Sequence, residues 1–286
     1  MTKKTLFLLT ALLFFDALLW AQIIATSDQA QLAYYQFDVG QGDSTLLRLS
    51  DDVEILYDAG PSGNIASVLE GVLGPFNRRL EVVIISHPQK DHYAGLLSVL
   101  EKFEVGLFVT NGRLPVGKDL VWEEILHRLE EKQVPHLTLV AGDKITYQSS
   151  TLEVLWPNTS WQQSGEVNDT SLVIKAHLGS DSVLLAGDIG TLAEDELIEK
   201  AGDKLRSSIL KIPHHGSRFS TSASFLEVVN PQFATVSAGK NNSHGHPHSD
   251  VLKRLEDKKI SVWRTDLSGG VRVEMVDGGL FVYEGF

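Results

Sequence analysis

Three short apolar runs in this chain each end in metal-ligand side chains, and no other feature constrains its fold as tightly. Val82-Val83-Ile84-Ile85-Ser86 leads into His87, Leu184-Leu185-Ala186-Gly187 into Asp188, and Ile209-Leu210-Lys211-Ile212 into Pro213-His214-His215. Runs of this length, bounded by turn residues, read as strands buried on both faces. Such strands need cover on each side, which demands a layered α/β domain.

The rest of the chain alternates in the same way. Strands are expected at Tyr34–Asp38, Ser44–Leu49, Val53–Tyr57 and Val105–Thr110, with helices at Asn64–Leu73, Tyr93–Phe103 and Val121–Lys132. The second half continues with strands near Leu152–Trp156, Ser171–Ala176, Ser182–Ala186, Phe233–Val236, Ser261–Thr265 and Val271–Val276. Helices are expected there at Ala193–Lys200, Ser222–Val229 and Val251–Lys258. Two β-rich halves with helices outside them give a four-layer αββα sandwich, its site where the strand ends meet.

Composition narrows the chemistry. Cys is absent, so neither a disulfide framework, a disulfide-linked partner nor a thiolate zinc site is available, and a metal must rest on His and carboxylates. The 25 basic and 37 acidic residues leave a charge of −12, which argues against a broad basic face for duplex DNA. Lys3 and Lys4 precede an apolar run from Leu6 to Ile24, broken by Asp16 and Gln22. Residues 1–25 therefore read as an export signal or a single membrane anchor, with residues 31–286 outside the cytoplasm. The anchor reading must tolerate Asp16 at about 2.5–3.5 kcal/mol, and a buried first helix is the plainer alternative.

His87, Asp91 and His92 lie within Ser86-His87-Pro88-Gln89-Lys90-Asp91-His92, and a loop after a buried strand can turn all three into one pocket with Asp188 and the His214-His215 pair. Imidazole nitrogen and carboxylate oxygen suit Zn²⁺ or Mn²⁺. His-x-x-x-Asp-His, a later Gly-Asp, and His-His-Gly-Ser resemble the metallo-β-lactamase superfamily. Five further segments sharpen the match: Phe37-Asp38-Val39-Gly40-Gln41-Gly42-Asp43-Ser44, Tyr57-Asp58-Ala59-Gly60, Asn168-Asp169-Thr170-Ser171-Leu172-Val173, Lys211-Ile212-Pro213-His214-His215-Gly216-Ser217 and Gly245-His246-Pro247-His248. In this order they resemble the exterior hydrolase domain of ComEC-type DNA-uptake proteins, without that channel's many membrane spans.

The resemblance implies that His87, Asp91, His92, Asp188 and one of His214 or His215 are metal ligands, with Asp188 able to bridge two ions. It places Asp58 and Asp38 beside the site, orienting ligands or water, although Asp38 could equally cap its own turn. Gln41-Gly42-Asp43 reads as a tight loop approaching the pocket or as a plain turn. Gln89 and Asn168 depart from the wider superfamily by offering amides where imidazole or carboxylate is usual, and amide oxygens are poor transition-metal ligands. One firmly held ion is therefore expected on the Asp91 and His92 side, and a weak neighbouring position near His87.

A divalent ion and a few cations such as Lys90, Lys211 or Lys240 could draw a polyanion to an acidic chain. The expected activity is phosphodiester hydrolysis, probed first on single-stranded or frayed DNA. Asp91 or Asp188 would handle the water proton, and His246 would contact phosphate or protonate the leaving group. Hydrolysis of another ester, such as phosphocholine or a lactone, and a binding module without turnover are the alternatives. His244 and His248 read as loop residues, and His127, His136 and His177 as uninvolved.

Overall fold

The computed structural model describes residues 3–27, 32–163, 165–276 and 279–285. The chain divides into two compact units, Met1–Gln31 and Leu32–Phe286. The first contains one helix, Lys3–Ser27, whose large apolar side chains from Leu6 to Trp20 are exposed rather than buried in a core. Among the described residues no helix is long and apolar enough to cross a membrane, and Lys3, Lys4 and Asp16 fall within the described part of this one.

The second unit is built on two large sheets. One has eight strands in the order Gly279–Glu284, Val271–Val276, Leu32–Gln36, Ser44–Arg48, Glu54–Ala59, Val82–Ile85, Phe108–Thr110 and His136–Thr138. The other has seven, in the order Ser261–Arg264, Phe233–Val236, Ile209–Lys211, Asp181–Leu185, Val173–Leu178, Ser150–Trp156 and Lys144–Tyr147.

Strand alternation assigns the side chains to layers. Ile55, Tyr57, Val82 and Ile84 meet Ile174, Val183, Leu185 and Ile209 in a core between the sheets. The alternate residues Leu56, Val83 and Ile85 pack with Ile65, Leu69, Leu96, Val99 and Ile125 from helices outside the first sheet. Leu184, Leu210 and Ile212 pack with Ala193, Leu197, Phe225, Leu226 and Val251 outside the second. Three apolar layers separate four structural ones, the αββα arrangement the sequence implies.

Parallel pairing gathers the strand ends. Glu54–Ala59, Val82–Ile85 and Phe108–Thr110 run parallel, with Tyr57 beside Ile84 and Ile84 beside Val109. Asp181–Leu185, Ile209–Lys211 and Phe233–Val236 also run parallel, with Leu185, Lys211 and Thr235 in register. Within each sheet, these carboxyl ends therefore emerge on one side, carrying Asp58 and His87 from one sheet and Asp188, His215 and Ser237 from the other.

Two expected elements differ in detail. The helix expected over Tyr93–Phe103 is two pieces, Lys90–Tyr93 and Leu96–Lys102. It breaks at Gly95, where a Cβ would overlap the Ala59 carbonyl oxygen and where the Gly95 N–H donates to Gly60 O at 2.9 Å. Asp91 and His92 consequently sit on a helical turn rather than in a loop. The strand expected over Val105–Thr110 is likewise split, into Glu104–Val105 and Phe108–Thr110.

Candidate metal centre

Asp58 is the first fixed point. It closes the strand Glu54–Ala59 in a left-handed conformation (φ 60°) and is fully buried. Its carboxylate accepts the Ser86 backbone N–H at 2.8 Å and the Ser86 hydroxyl at 2.8 Å. The same Oδ2 lies 2.8 Å from His92 Nδ1, which fixes the Nδ1–H tautomer and turns Nε2 inward. His215 is held the same way: its Nδ1 lies 3.0 Å from the Ser237 carbonyl oxygen and 3.5 Å from Asp43 Oδ1.

The two free Nε2 atoms converge on two carboxylates. His92 Nε2 is 3.3 Å from Asp188 Oδ2 and 3.9 Å from Asp91 Oδ2. His215 Nε2 is 3.3 Å from Asp188 Oδ2 and 3.5 Å from Asp91 Oδ2. Four donors on a tetrahedron with bonds of about 2.1 Å stand about 3.4 Å apart, so these separations match a zinc-sized cation. The Nε2 atoms of His87, His92 and His215 and Oδ1 of Asp188 are buried without hydrogen-bond partners. Unpartnered buried nitrogens among carboxylates are what a metal site leaves when only its protein atoms are considered.

Asp43, His92, Asp188 and His215 also offer donor atoms within 4.8 Å of one another. Asp43, however, faces the Nδ1 edges of both rings, at 3.9 Å from His92 and 3.5 Å from His215, and accepts from Lys211 Nζ. Those Nδ1 atoms are already engaged. Asp91, which faces both Nε2 atoms, completes the set with open lone pairs, and Asp43 serves as support for His215 and counterion for Lys211.

Charge explains the demand for a cation. Asp43, Asp58, Asp91 and Asp188 are four carboxylates, and Lys211 is one ammonium, leaving three uncompensated negative charges with neutral imidazoles. Burial works against the charged form of His92, yet Asp188, Asp58 and Asp91 push its pKa well above the ordinary range. Burial likewise opposes charge on His215, and Asp188 and Asp43 overcome it. Asp188 is held well below the usual carboxylate range, its burial outweighed by His215 and His92. Protons on these imidazoles compete with a divalent ion for the same lone pairs.

The neighbouring position is different. His87 is buried, with Nδ1 3.0 Å from Ser86 Oγ and 3.1 Å from Ser171 Oγ, and burial lowers its pKa to about 3. Gln89 Nε2 donates to Asn168 Oδ1, and Asn168 Nδ2 lies 3.2 Å from His214 Nε2. The two amides and His214 satisfy one another, which leaves on that side His87 Nε2 and an Asp188 Oδ1 that already faces the Lys211 ammonium at 3.6 Å.

The structure thus places His87, Asp91, His92, Asp188 and His215 together, and puts His214 outside the donor set. Asp38 is exposed, and its Oδ1 accepts the Gly40 N–H at 3.1 Å, the turn cap that was one of its two expected roles. Lys90 pairs with Asp119 at 3.1 Å instead of facing the cluster. His246 stands at the rim, half-buried, its ring centroid 5.8 Å from that of His214 and 6.4 Å from that of His215. Burial, with His215 and His214 nearby, lowers its pKa to about 4, which favours the neutral ring. His248 caps the helix Ser249–Asp257 by accepting the Asp250 N–H at 3.2 Å.

Asp43 is the participant that sequence reasoning missed. Its signal was Gly42, where a Cβ would overlap the Asp91 carbonyl oxygen; Asp43 N then donates to Asp91 O at 3.1 Å. The loop approaches the pocket and is not a plain turn. Lys211 carried a stronger signal, a lysine within a buried apolar strand.

Comparison with known proteins agrees with this fold. The metallo-β-lactamase superfamily profile matches residues 37–240. The chain belongs to the metallo-β-lactamase superfamily. Within that family it is 29% identical to Competence protein ComA of Neisseria gonorrhoeae over 248 residues, covering 85% of this chain and 32% of that protein. It is 30% identical to ComE operon protein 3 of Bacillus subtilis over 253 residues, covering 82% and 32%. Recombination protein 2 of Haemophilus influenzae is 30% identical over 277 residues, covering 96% and 32%. The chain therefore spans about a third of the length of these relatives. Among solved structures, the metallo hydrolase Igni18 of Ignicoccus hospitalis superposes with a TM-score of 0.54 at 14% identity, covering 85% of this chain and all of that one. YhfI of Bacillus subtilis gives 0.52 at 13% identity, covering 89% and 100%.

Proposed function

We propose that this metallo-β-lactamase-family hydrolase is an extracytoplasmic phosphodiesterase that holds one divalent ion firmly and cleaves DNA, single-stranded or frayed. The observation that carries the reading is the quartet of His92 Nε2, His215 Nε2, Asp91 Oδ2 and Asp188 Oδ2, with its 3.3–3.9 Å separations. Similarity to proteins named for competence and recombination supports a nucleic-acid substrate, and the charged, apolar first segment supports export or anchoring.

A Zn²⁺ or Mn²⁺ ion held there would supply Lewis-acid charge for a phosphate oxygen and acidify water. The chain's own groups do the rest. Asp91 is the one carboxylate of the quartet with substantial exposure, its side chain 32% accessible, so it can take a proton from an entering water. Asp188, almost fully buried, keeps the two imidazoles in place. His246, at the rim, offers its ring N–H to a phosphate oxygen, and the Asn242 side chain clamps the His246 backbone by accepting its N–H at 3.0 Å and donating to its carbonyl at 2.6 Å. Phe219, four positions beyond His215, is 68% exposed and carries the Arg218 guanidinium 5.5 Å from its ring centroid. An exposed aromatic under a guanidinium is a platform on which an unpaired base stacks.

The test uses the purified full chain loaded with Mn²⁺ or Zn²⁺. Cleavage of single-stranded DNA that stops with a chelator and returns with the ion is expected, with weaker action on phosphocholine esters and lactones. A chain carrying one ion per molecule that leaves DNA and small phosphodiesters intact would contradict the proposal.

A further inference from the structure

Asp188 is divided among three neighbours. Its Oδ2 faces the Nε2 atoms of His92 and His215, each at 3.3 Å, while its Oδ1 faces Lys211 Nζ at 3.6 Å. In a two-ion site this carboxylate would offer that second oxygen to the second cation. Lys211 is completely buried, in a strand whose other side chains are apolar. Its ammonium donates to the Asp43 carboxylate and to the Gly187 carbonyl at 3.0 Å, and it faces Asp188 Oδ1 as an ion pair without a hydrogen bond. Gly42 lets the loop carrying Asp43 press against the Asp91 backbone, which sets the counterion in place.

We infer that the Lys211 ammonium, anchored by Asp43, takes the half of Asp188 that a second divalent cation would use, and so holds this centre to one ion. This rests on the single-ion reading and gives it a cause beyond the weak amide donors of Gln89 and Asn168. Lys211 is a positioning residue: it touches the carboxylate and leaves the reacting atoms to the cation and its ligands. A divalent ion bound to the buried Asp188 Oδ1 would lie beside a fixed like charge, where repulsion is poorly screened.

The test measures ions per chain in the full-length protein by equilibrium dialysis and elemental analysis, with Mn²⁺ paramagnetic resonance to detect coupled pairs. Lys211→Met removes the ammonium. Because that leaves Asp43 buried and unpaired, the double variant Asp43→Asn with Lys211→Met removes both charges and preserves their balance. The wild type should hold one ion through a Mn²⁺ titration, and a folded variant should bind a second about tenfold or more tightly than the wild type does, with a spin-coupled signal. A wild type at one ion and folded variants that also stay at one would overturn the role of Lys211 while sparing the single-ion reading. A wild type that binds two ions tightly, or none, overturns both.

Discussion

Two sides of one buried cleft make different use of the same kinds of side chain. On the Asp91 side, each imidazole has its Nδ1 engaged, His92 by Asp58 and His215 by the Ser237 carbonyl, and its Nε2 left open toward Asp91 and Asp188. On the His87 side, Gln89, Asn168 and His214 bond to one another, and the remaining carboxylate oxygen faces an ammonium. Ligand-type residues are present on both. What separates them is which valences are already taken, and that is set by the groups one layer further out.

The strongest way to break this contrast is Asp188→Ala, which removes the carboxylate shared by both Nε2 atoms. Isothermal titration with Mn²⁺ should show affinity falling by more than about 100-fold, beyond the loss from groups that merely orient a ligand. Asp58→Asn keeps the ligands but weakens the acceptor for His92 Nδ1–H. A decrease of about 10–100-fold is expected in the same titration, and unchanged affinity would remove Asp58 from the account. At the rim, Phe219→Ala should raise KM for single-stranded DNA by about fivefold or more while leaving hydrolysis of a small aryl phosphodiester alone; equal effects on both substrates would deny a stacking role. Asn168→Ala, on the closed side, should change affinity for the firm ion least, by less than about threefold. A loss as large as that of Asp58→Asn would mean the two sides act as one.

The layers and the ligand-bearing strand ends were legible because burial on both faces demands continuous apolar runs such as Val82–Ile85 and Val183–Ala186. The strands His136–Thr138, Lys144–Tyr147 and Gly279–Glu284 went unread. They lie at sheet edges, where mostly exposed or half-buried side chains leave no apolar signature. Within the site, His87, Asp91, His92 and Asp188 followed from position after a buried run. The choice between His214 and His215 did not, since adjacent residues in successive left-handed conformations (φ 50° and 54°) point in directions that sequence spacing leaves undetermined. Asp38 and Asp43 show the same limit from the other side. Both are aspartates in one glycine-rich loop, yet one caps an exposed turn and the other is buried against Lys211.

The most direct measurement is an anomalous-diffraction map of crystals grown with Mn²⁺ or Zn²⁺. One strong peak at about 2.0–2.2 Å from Nε2 of His92 and His215 and from oxygens of Asp91 and Asp188 is predicted. A principal peak bound by His87 and His214, or lying away from this cleft, would contradict the account.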